Sequence, residues 1–244
     1  MILISGADGF VGKNLTNHLN KKNYKFKSIL YSPKFIIRKK SYYANLTNEK
    51  HINKLIKEKS SYNTIIHLAG FIDIKIQPSA KNIYSLIPGE EDIFKLYNNN
   101  TIITANILKL ALKKNIKKII YASSQTVYGI PKNTEITEET PHNPIEHYAL
   151  NKSFGEKILE LGAKQGIEII ILRFPGIYSK KRPNGIVWNF CNNAIKKNSI
   201  NIDINYPLPI DVIDLDDILE AIEKTINLPI PKKKITKLNI STKE

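Results

Sequence analysis

The stretch Ile2-Leu3-Ile4-Ser5-Gly6-Ala7-Asp8-Gly9-Phe10-Val11-Gly12 constrains this chain more than any other. A short apolar run ends in glycines spaced G-x-x-G-x-x-G, and an amphipathic segment with Leu15, His18 and Leu19 follows at once. Strand, tight turn and helix are the natural reading. A glycine keeps Cβ out of the space where a phosphate approaches the backbone N–H groups of a helix N-terminus. The same spacing also fits an ordinary glycine-rich turn, but its place after a strand and before a helix is what a dinucleotide fingerprint requires.

A chain of 244 residues, 42% of them hydrophobic, can bury a sizeable core, as one large domain or a domain with a small lobe. The lone Cys191 allows no intrachain disulfide, and no Cys/His cluster has metal-ligand spacing, so no metal is expected. Met1 leads straight into the first strand, and nowhere do apolar residues run long enough to span a bilayer. The expectation is a soluble, cytoplasmic protein with no membrane partner. The formal charge of +15 invites a nucleic-acid reading. Yet Arg38, Arg173 and Arg182 are the only arginines among 37 basic residues, and the lysines come with an excess of Ile and Asn. That pattern points to a compositional bias over the whole chain, with solvated lysines and no nucleic-acid partner.

Phe26–Leu30 reads as a second strand. In dinucleotide folds an acid commonly stands just past it to hold the ribose 2′-hydroxyl. Here Tyr31-Ser32-Pro33-Lys34 follows, then Arg38-Lys39-Lys40, with no acid in the run. Ser32 and Lys34 become candidate cofactor contacts, and neutral or basic groups there suit the 2′-phosphate of NADP better than NAD. The alternative is a loop carrying this chain's usual lysines.

Thr47 or Asn48 caps a helix near Glu49–Lys59, and Thr64–Leu68 is a buried-type strand running into the small residues Ala69-Gly70. His67 reads as a packing histidine. Residues 71–96 look irregular, punctuated by Pro78, Pro88 and Gly89. A helix over about Tyr97–Lys114 turns Ile103, Ile107, Leu108, Leu110 and Ala111 inward, with Asn98-Asn99-Asn100 in its first turn. Strand Lys117–Ala122 ends in Ser123-Ser124. A helix from about Ile145 to Lys164, stopped by Gly166, sets Tyr148 and Lys152 on one face. Strand Glu168–Arg173 leads to Phe174-Pro175-Gly176, and a helix at Val187–Lys197, a strand near Ile210–Ile213, a helix at Asp216–Ile226 and a strand at Lys237–Ile240 complete the chain. The alternation predicts an α/β fold with a parallel sheet covered on both faces.

Gly6-x-x-Gly9-x-x-Gly12, His67-Leu68-Ala69-Gly70, Asn100, Tyr121-Ala122-Ser123-Ser124-x-x-Val127-Tyr128-Gly129, Tyr148-x-x-x-Lys152 and Arg173-Phe174-Pro175 occur in one order and spacing. With these the chain resembles the extended short-chain dehydrogenases/reductases, in particular the NAD-dependent epimerase/dehydratase family of nucleotide-sugar enzymes, over residues 1 to about 180. The resemblance implies a doubly wound parallel sheet of Rossmann type over residues 1–175 with a small, reduced substrate lobe over 176–244, and that Ser124, Tyr148 and Lys152 are catalytic. Tyr148 would take a proton from a substrate hydroxyl as hydride leaves the same carbon, and Ser124 would hydrogen-bond the reacting oxygen. A free tyrosine has a pKa near 10, so a neighbouring positive charge is needed, and Lys152 supplies one while also holding the nicotinamide ribose. The non-catalytic alternative is a surface Tyr/Lys pair beside a capping serine.

The resemblance further implies that Gly6, Gly9, Phe10, Val11 and Gly12 receive the cofactor diphosphate. Leu68, Ala69, Gly70 and Pro175 line the groove, Asn100 borders the nicotinamide, and Asn45-Leu46 stands where the family usually has Asp-Leu near the adenine. Family dehydratases carry Asp-Glu just after the catalytic Ser/Thr, whereas this chain has Gln125-Thr126, which argues against dehydration. Epimerisation of a nucleotide sugar or reduction of its keto form remains, with NADP or NAD as cofactor and a homodimer through the helices at Tyr97–Lys114 and Ile145–Lys164. Leu208 or Pro209 sits where family epimerases offer an arginine toward the substrate diphosphate, a role that Arg182 with Lys180 and Lys181 could take over. The small C-terminal lobe also permits a reductase of a non-nucleotide carbonyl compound. A cofactor-binding regulatory or RNA-associated protein without catalysis is the reading from a different class.

Overall fold

The computed structural model describes residues 1–71, 90–130, 135–183, 185–200, 211–229 and 234–242. Strands β1 (Ile2–Ser5), β2 (Phe26–Leu30), β4 (Ser41–Tyr43), β5 (Thr64–His67), β6 (Lys118–Ser124), β7 (Glu168–Phe174) and β10 (Ile235–Asn239) lie parallel, and β3 (Ile36–Ile37) adds an antiparallel edge. The order is β10-β7-β6-β5-β1-β2-β4-β3. The chain leaves β1 on one side to form β2 and returns on the other to form β5. The crevice at the carboxyl ends of these strands is therefore the topological switch point.

Alternation of side chains across each strand divides the core. Leu3, Ile65, Ile119, Ile169 and Ile171 face one layer, while Ile2, Ile4, Ile66, Ile120, Ile170 and Leu172 face the other. Helices α2 (Glu49–Lys57), α4 (Ile103–Lys113) and α5 (His147–Ala163) cover the first, through Ile52, Leu55, Ile107, Leu110 and Leu159. Helices α1 (Phe10–Lys21) and α7 (Leu215–Asn227) cover the second, through Leu15, Leu19, Ile218 and Ile222. Ile103, Ile107, Leu108, Leu110 and Ala111 are all buried, as expected. The Asn48 side chain caps α2, accepting from the N–H groups of Lys50 and His51.

Two departures matter for the site. Helix α3 (Glu90–Tyr97) begins within the stretch expected to be irregular, and Asn98–Ile102 forms a π turn joining α3 to α4. Asn100 therefore lies within a long helical segment and is buried, not in a solvated first turn. Past β7, β8 (Gly176–Tyr178) pairs with β9 (Val212–Asp214) in a separate two-stranded sheet, and α6 (Ile186–Lys197) lies between them in sequence. Pro78, Pro88, Gly89, Leu208, Pro209 and Ile210 fall outside the described residues.

Helix ends use asparagine in a particular way. Asn23, Asn115 and Asn198, just past or at the ends of α1, α4 and α6, have φ of 60°, 54° and 49°, and they are the only non-glycine residues with positive φ among the described residues. Among the same residues, no helix is long and apolar enough to cross a membrane.

Candidate active site

The glycine turn is built on backbone contact. Gly6 has φ of +73°, and a Cβ there would lie 2.5 Å from the Ala69 nitrogen. At Gly12 it would lie 2.0 Å from the Gly6 carbonyl oxygen. These two glycines thus press the turn against the end of β5 and against α1, rather than leaving room for a ligand. Gly9 is the exposed one, and it stands at the N-cap of α1 with no side chain to satisfy the first N–H groups. No acid occupies that first turn. Phe10, Val11 and Gly12 therefore offer their amides to an anion at the positive end of a helix, which fits a dinucleotide diphosphate.

Below the turn runs a buried relay of hydrogen bonds. Thr104 Oγ1 donates to the Asn100 carbonyl at 2.8 Å, so it accepts from His67 Nε2 at 3.1 Å, and Ser5 Oγ then donates to His67 Nδ1 at 2.9 Å. Burial, with Lys152 nearby, lowers the His67 pKa to about 3. This is the packing histidine expected from sequence. The Asn100 side chain holds Phe71 at two points, accepting from its N–H at 2.7 Å and donating to its carbonyl at 2.9 Å. The π turn thereby fixes the chain just after Leu68, Ala69 and Gly70. A Cβ on Gly70 would lie 3.0 Å from Asn100 Oδ1 and 3.7 Å from Lys152 Nζ, so this glycine keeps the approach to both open.

Tyr148 and Lys152 share one face of α5. Lys152 is buried and donates from Nζ to the Ala122 carbonyl at 2.7 Å, two residues before Ser124 at the end of β6. Its Nζ stands 5.7 Å from the Tyr148 ring centroid and 5.0 Å from that of Tyr121. Burial lowers the Lys152 ammonium to about 8, while Glu156, one helical turn on, pulls the other way. The Tyr148 phenol is pushed up by its surroundings and by Glu146, with Arg182 opposing the rise. Ser124 caps the 3₁₀ turn Gln125–Tyr128, its Oγ accepting from Thr126 N at 3.3 Å and Thr126 Oγ1 at 3.0 Å. With both lone pairs engaged, the hydroxyl proton is left to donate.

A second buried network fixes α5 to the sheet. Arg173 donates to Glu156 through Nε at 3.1 Å and Nη2 at 2.8 Å, and to the Tyr128 hydroxyl through Nη1. Nη2 also donates to His142 Nε2 at 2.8 Å, which requires a neutral ring with its proton on Nδ1, beside Ser153 Oγ. Ser123 Oγ donates to Glu156 as well. Arg173, which belongs to the family motif, is thus wholly buried and holds the scaffold together.

Other candidates take structural places. Asn45 Oδ1 accepts from the Thr47 backbone and hydroxyl, and Leu46 is buried in the core, its carbonyl held by Asn106. Ser32 Oγ accepts from Lys34 N, while Lys34 itself is exposed. Pro175 joins β7 to β8. Arg182 stands over the Phe10 ring, its Cζ 5.3 Å from the centroid, with Nη1 donating to the Ile177 carbonyl at 2.8 Å. That places it beside the glycine turn. Asp8 is a residue that sequence reading passed over. Its Oδ2 accepts from Tyr31 N at 2.9 Å, at the end of β2 where no acid was found in sequence. The signal was its place in a turn that must fold back beside the neighbouring parallel strand.

Glycine turn, switch-point crevice, and a Ser/Tyr/Lys set at the carboxyl ends of β6 and α5's first turns define a dinucleotide-binding α/β protein. The chain belongs to the NAD dependent epimerase/dehydratase family, whose model matches residues 2–229. A putative UDP-glucose 4-epimerase of Methanocaldococcus jannaschii is 30% identical over 82% of this chain and 64% of its own length. The UDP-glucose 4-epimerase of Lactobacillus helveticus is 28% identical over 71% of this chain and 50% of its own. The chain thus spans one half to just under two thirds of the length of these two relatives. Among solved structures, a UDP-glucose 4-epimerase from Thermotoga maritima matches with a TM-score of 0.73 at 20% identity, over 99% of this chain and 76% of that one. An NAD-dependent NDP-hexosamine 5,6-dehydratase matches with a TM-score of 0.73 at 21% identity, over 99% and 75%. These likenesses establish the fold.

Proposed function

We propose that the protein is an NAD-dependent epimerase acting on a nucleotide sugar, with Ser124, Tyr148 and Lys152 as its catalytic residues. The observation that carries this reading is Lys152, an ammonium buried on the Ala122 carbonyl beside the Tyr148 ring. An ammonium held beside the phenol is the charge that would favour the phenolate that proton abstraction needs. Tyr148 takes the proton of the substrate hydroxyl and returns it after the sugar has turned. Ser124 donates its remaining proton to the same oxygen. NAD, when bound, supplies the acceptor and donor of hydride. Gln125 replaces the dehydratase acid with an amide that donates to Asp211 Oδ2 and the Ile240 carbonyl, and an amide cannot protonate a leaving hydroxyl. An epimerase also regenerates its NAD in each cycle, in keeping with the relatives' names.

The test is conversion of UDP-, GDP- and dTDP-sugars by the full chain with NAD, read as appearance of the epimer by chromatography. Tyr148→Phe is expected to abolish conversion while NAD binding stays within a few-fold of wild type. Turnover retained by Tyr148→Phe overturns the mechanism, and stoichiometric consumption of reduced cofactor identifies a ketoreductase instead. The reading includes a homodimer paired through α4 and α5, whose outer face exposes Phe154 and Leu161.

A further inference from the structure

We propose that Asp8 selects NAD over NADP, its carboxylate accepting the adenosine-ribose hydroxyl at the end of β2. In a doubly wound sheet the adenosine ribose lies past the carboxyl end of the strand next to β1, and an acid there accepts the 2′-hydroxyl and repels a 2′-phosphate. The run Tyr31-Ser32-Pro33-Lys34 supplies no acid. The glycine turn brings one across. Gly6, at φ +73°, reverses the chain, and Ala7 N donates to the Ile29 carbonyl at 3.2 Å, pinning the turn to β2. Asp8 Oδ2 then receives the Tyr31 N–H at 2.9 Å, one residue past Leu30.

That bond has two effects. It holds the carboxylate away from the first turn of α1, where a negative charge would oppose the cofactor diphosphate. It also leaves the second carboxylate oxygen for the ribose. Of the basic groups that argued for NADP, Arg38 stands elsewhere, in the β3–β4 turn at the far edge of the sheet with its N–H on the Ser41 carbonyl. The Ser32 hydroxyl accepts the Lys34 N–H. A 2′-phosphate at β2 would be repelled by the Asp8 carboxylate.

The experiment is titration of the full chain with NAD, NADP and 2′-deoxy-NAD, following intrinsic fluorescence. Wild type is expected to prefer NAD over NADP by at least tenfold and to lose several-fold in affinity for 2′-deoxy-NAD. Asp8→Asn keeps an oxygen for the Tyr31 N–H but removes the charge. It is expected to narrow the NAD/NADP ratio about tenfold or more, and Asp8→Ala is expected to bind NAD and 2′-deoxy-NAD alike. Lys34→Ala and Arg38→Ala are expected to leave the ratio within twofold. An NAD/NADP ratio unchanged in Asp8→Asn overturns this assignment alone, and a wild type that prefers NADP overturns it together with the NAD dependence of the proposed epimerase. Absence of binding to any dinucleotide overturns it together with the epimerase reading.

Discussion

Lys152 is held in a place that works against its charge, and the cost is measurable. Its pKa of about 8 in the folded chain lies below the ordinary 10.5. Between those values the unfolded chain carries more protons than the folded one, so stability rises with pH across that window. Below pH 8 the full cost of the buried ammonium is present, about 3 kcal/mol at most. Lys152→Met removes this cost, and the hydrogen bond it loses at Ala122 adds only a constant. Urea unfolding followed by circular dichroism is therefore expected to show the variant's stability relative to wild type highest at pH 7, shrinking as pH rises from 8 to 10.5. A difference that does not vary with pH would mean that the pKa of Lys152 is the same in the folded and the unfolded chain, so that burial does not disfavour its charge. The shared helix face of Tyr148 and Lys152 and the packing role of His67 were legible in sequence because each rests on local spacing or on a run of apolar neighbours. Asp8 was not, since its partner at Tyr31 is set by how a tight turn lies against a parallel strand.

Elements of ordinary length were equally legible, and the short ones were not. The period of apolar residues located α2, α5 and α7 to within about two residues at most ends. Strands β3, β4 and β8, two or three residues long, carry too little pattern to be seen, and they exist because a neighbouring edge offers hydrogen bonds. The π turn at Asn98–Ile102 was hidden for another reason. It carries the Asn100 clamp on Phe71, a tertiary contact with no local signature. On α5, Phe154 and Leu161 stand two turns apart on one exposed stripe. If α5 pairs with its copy in a homodimer, the double variant Phe154→Glu/Leu161→Glu is expected to sediment as a monomer at concentrations where wild type is dimeric. A wild-type monomer at high concentration, or a dimeric variant, would rule out this interface.

For the molecule as a whole, acid is the condition to fear. His67, His51 and His142 are all kept neutral, with pKa values lowered first of all by burial, and His67 reaches about 3. Unfolding frees them to take protons from pH 6.5 downward; His67 thereby removes up to about 1.4 kcal/mol of stability per pH unit until its folded pKa is reached, and the other two act in the same direction. Urea midpoints are expected to fall steadily from pH 6.5 toward 4, and His67→Gln to flatten that slope; a slope unchanged by His67→Gln would assign the acid sensitivity elsewhere. The left-handed asparagines at positions 23, 115 and 198 carry a consequence of another kind. Ile, Lys and Asn can be encoded with A and T alone, whereas every glycine codon begins with two G's. A gene drifting toward A and T can hand its helix ends to asparagine at little conformational cost. It cannot do so at Gly6 or Gly12, where any side chain collides with backbone. The glycine turn is thus where the nucleotide drift of a genome meets a limit set by a single carbon atom.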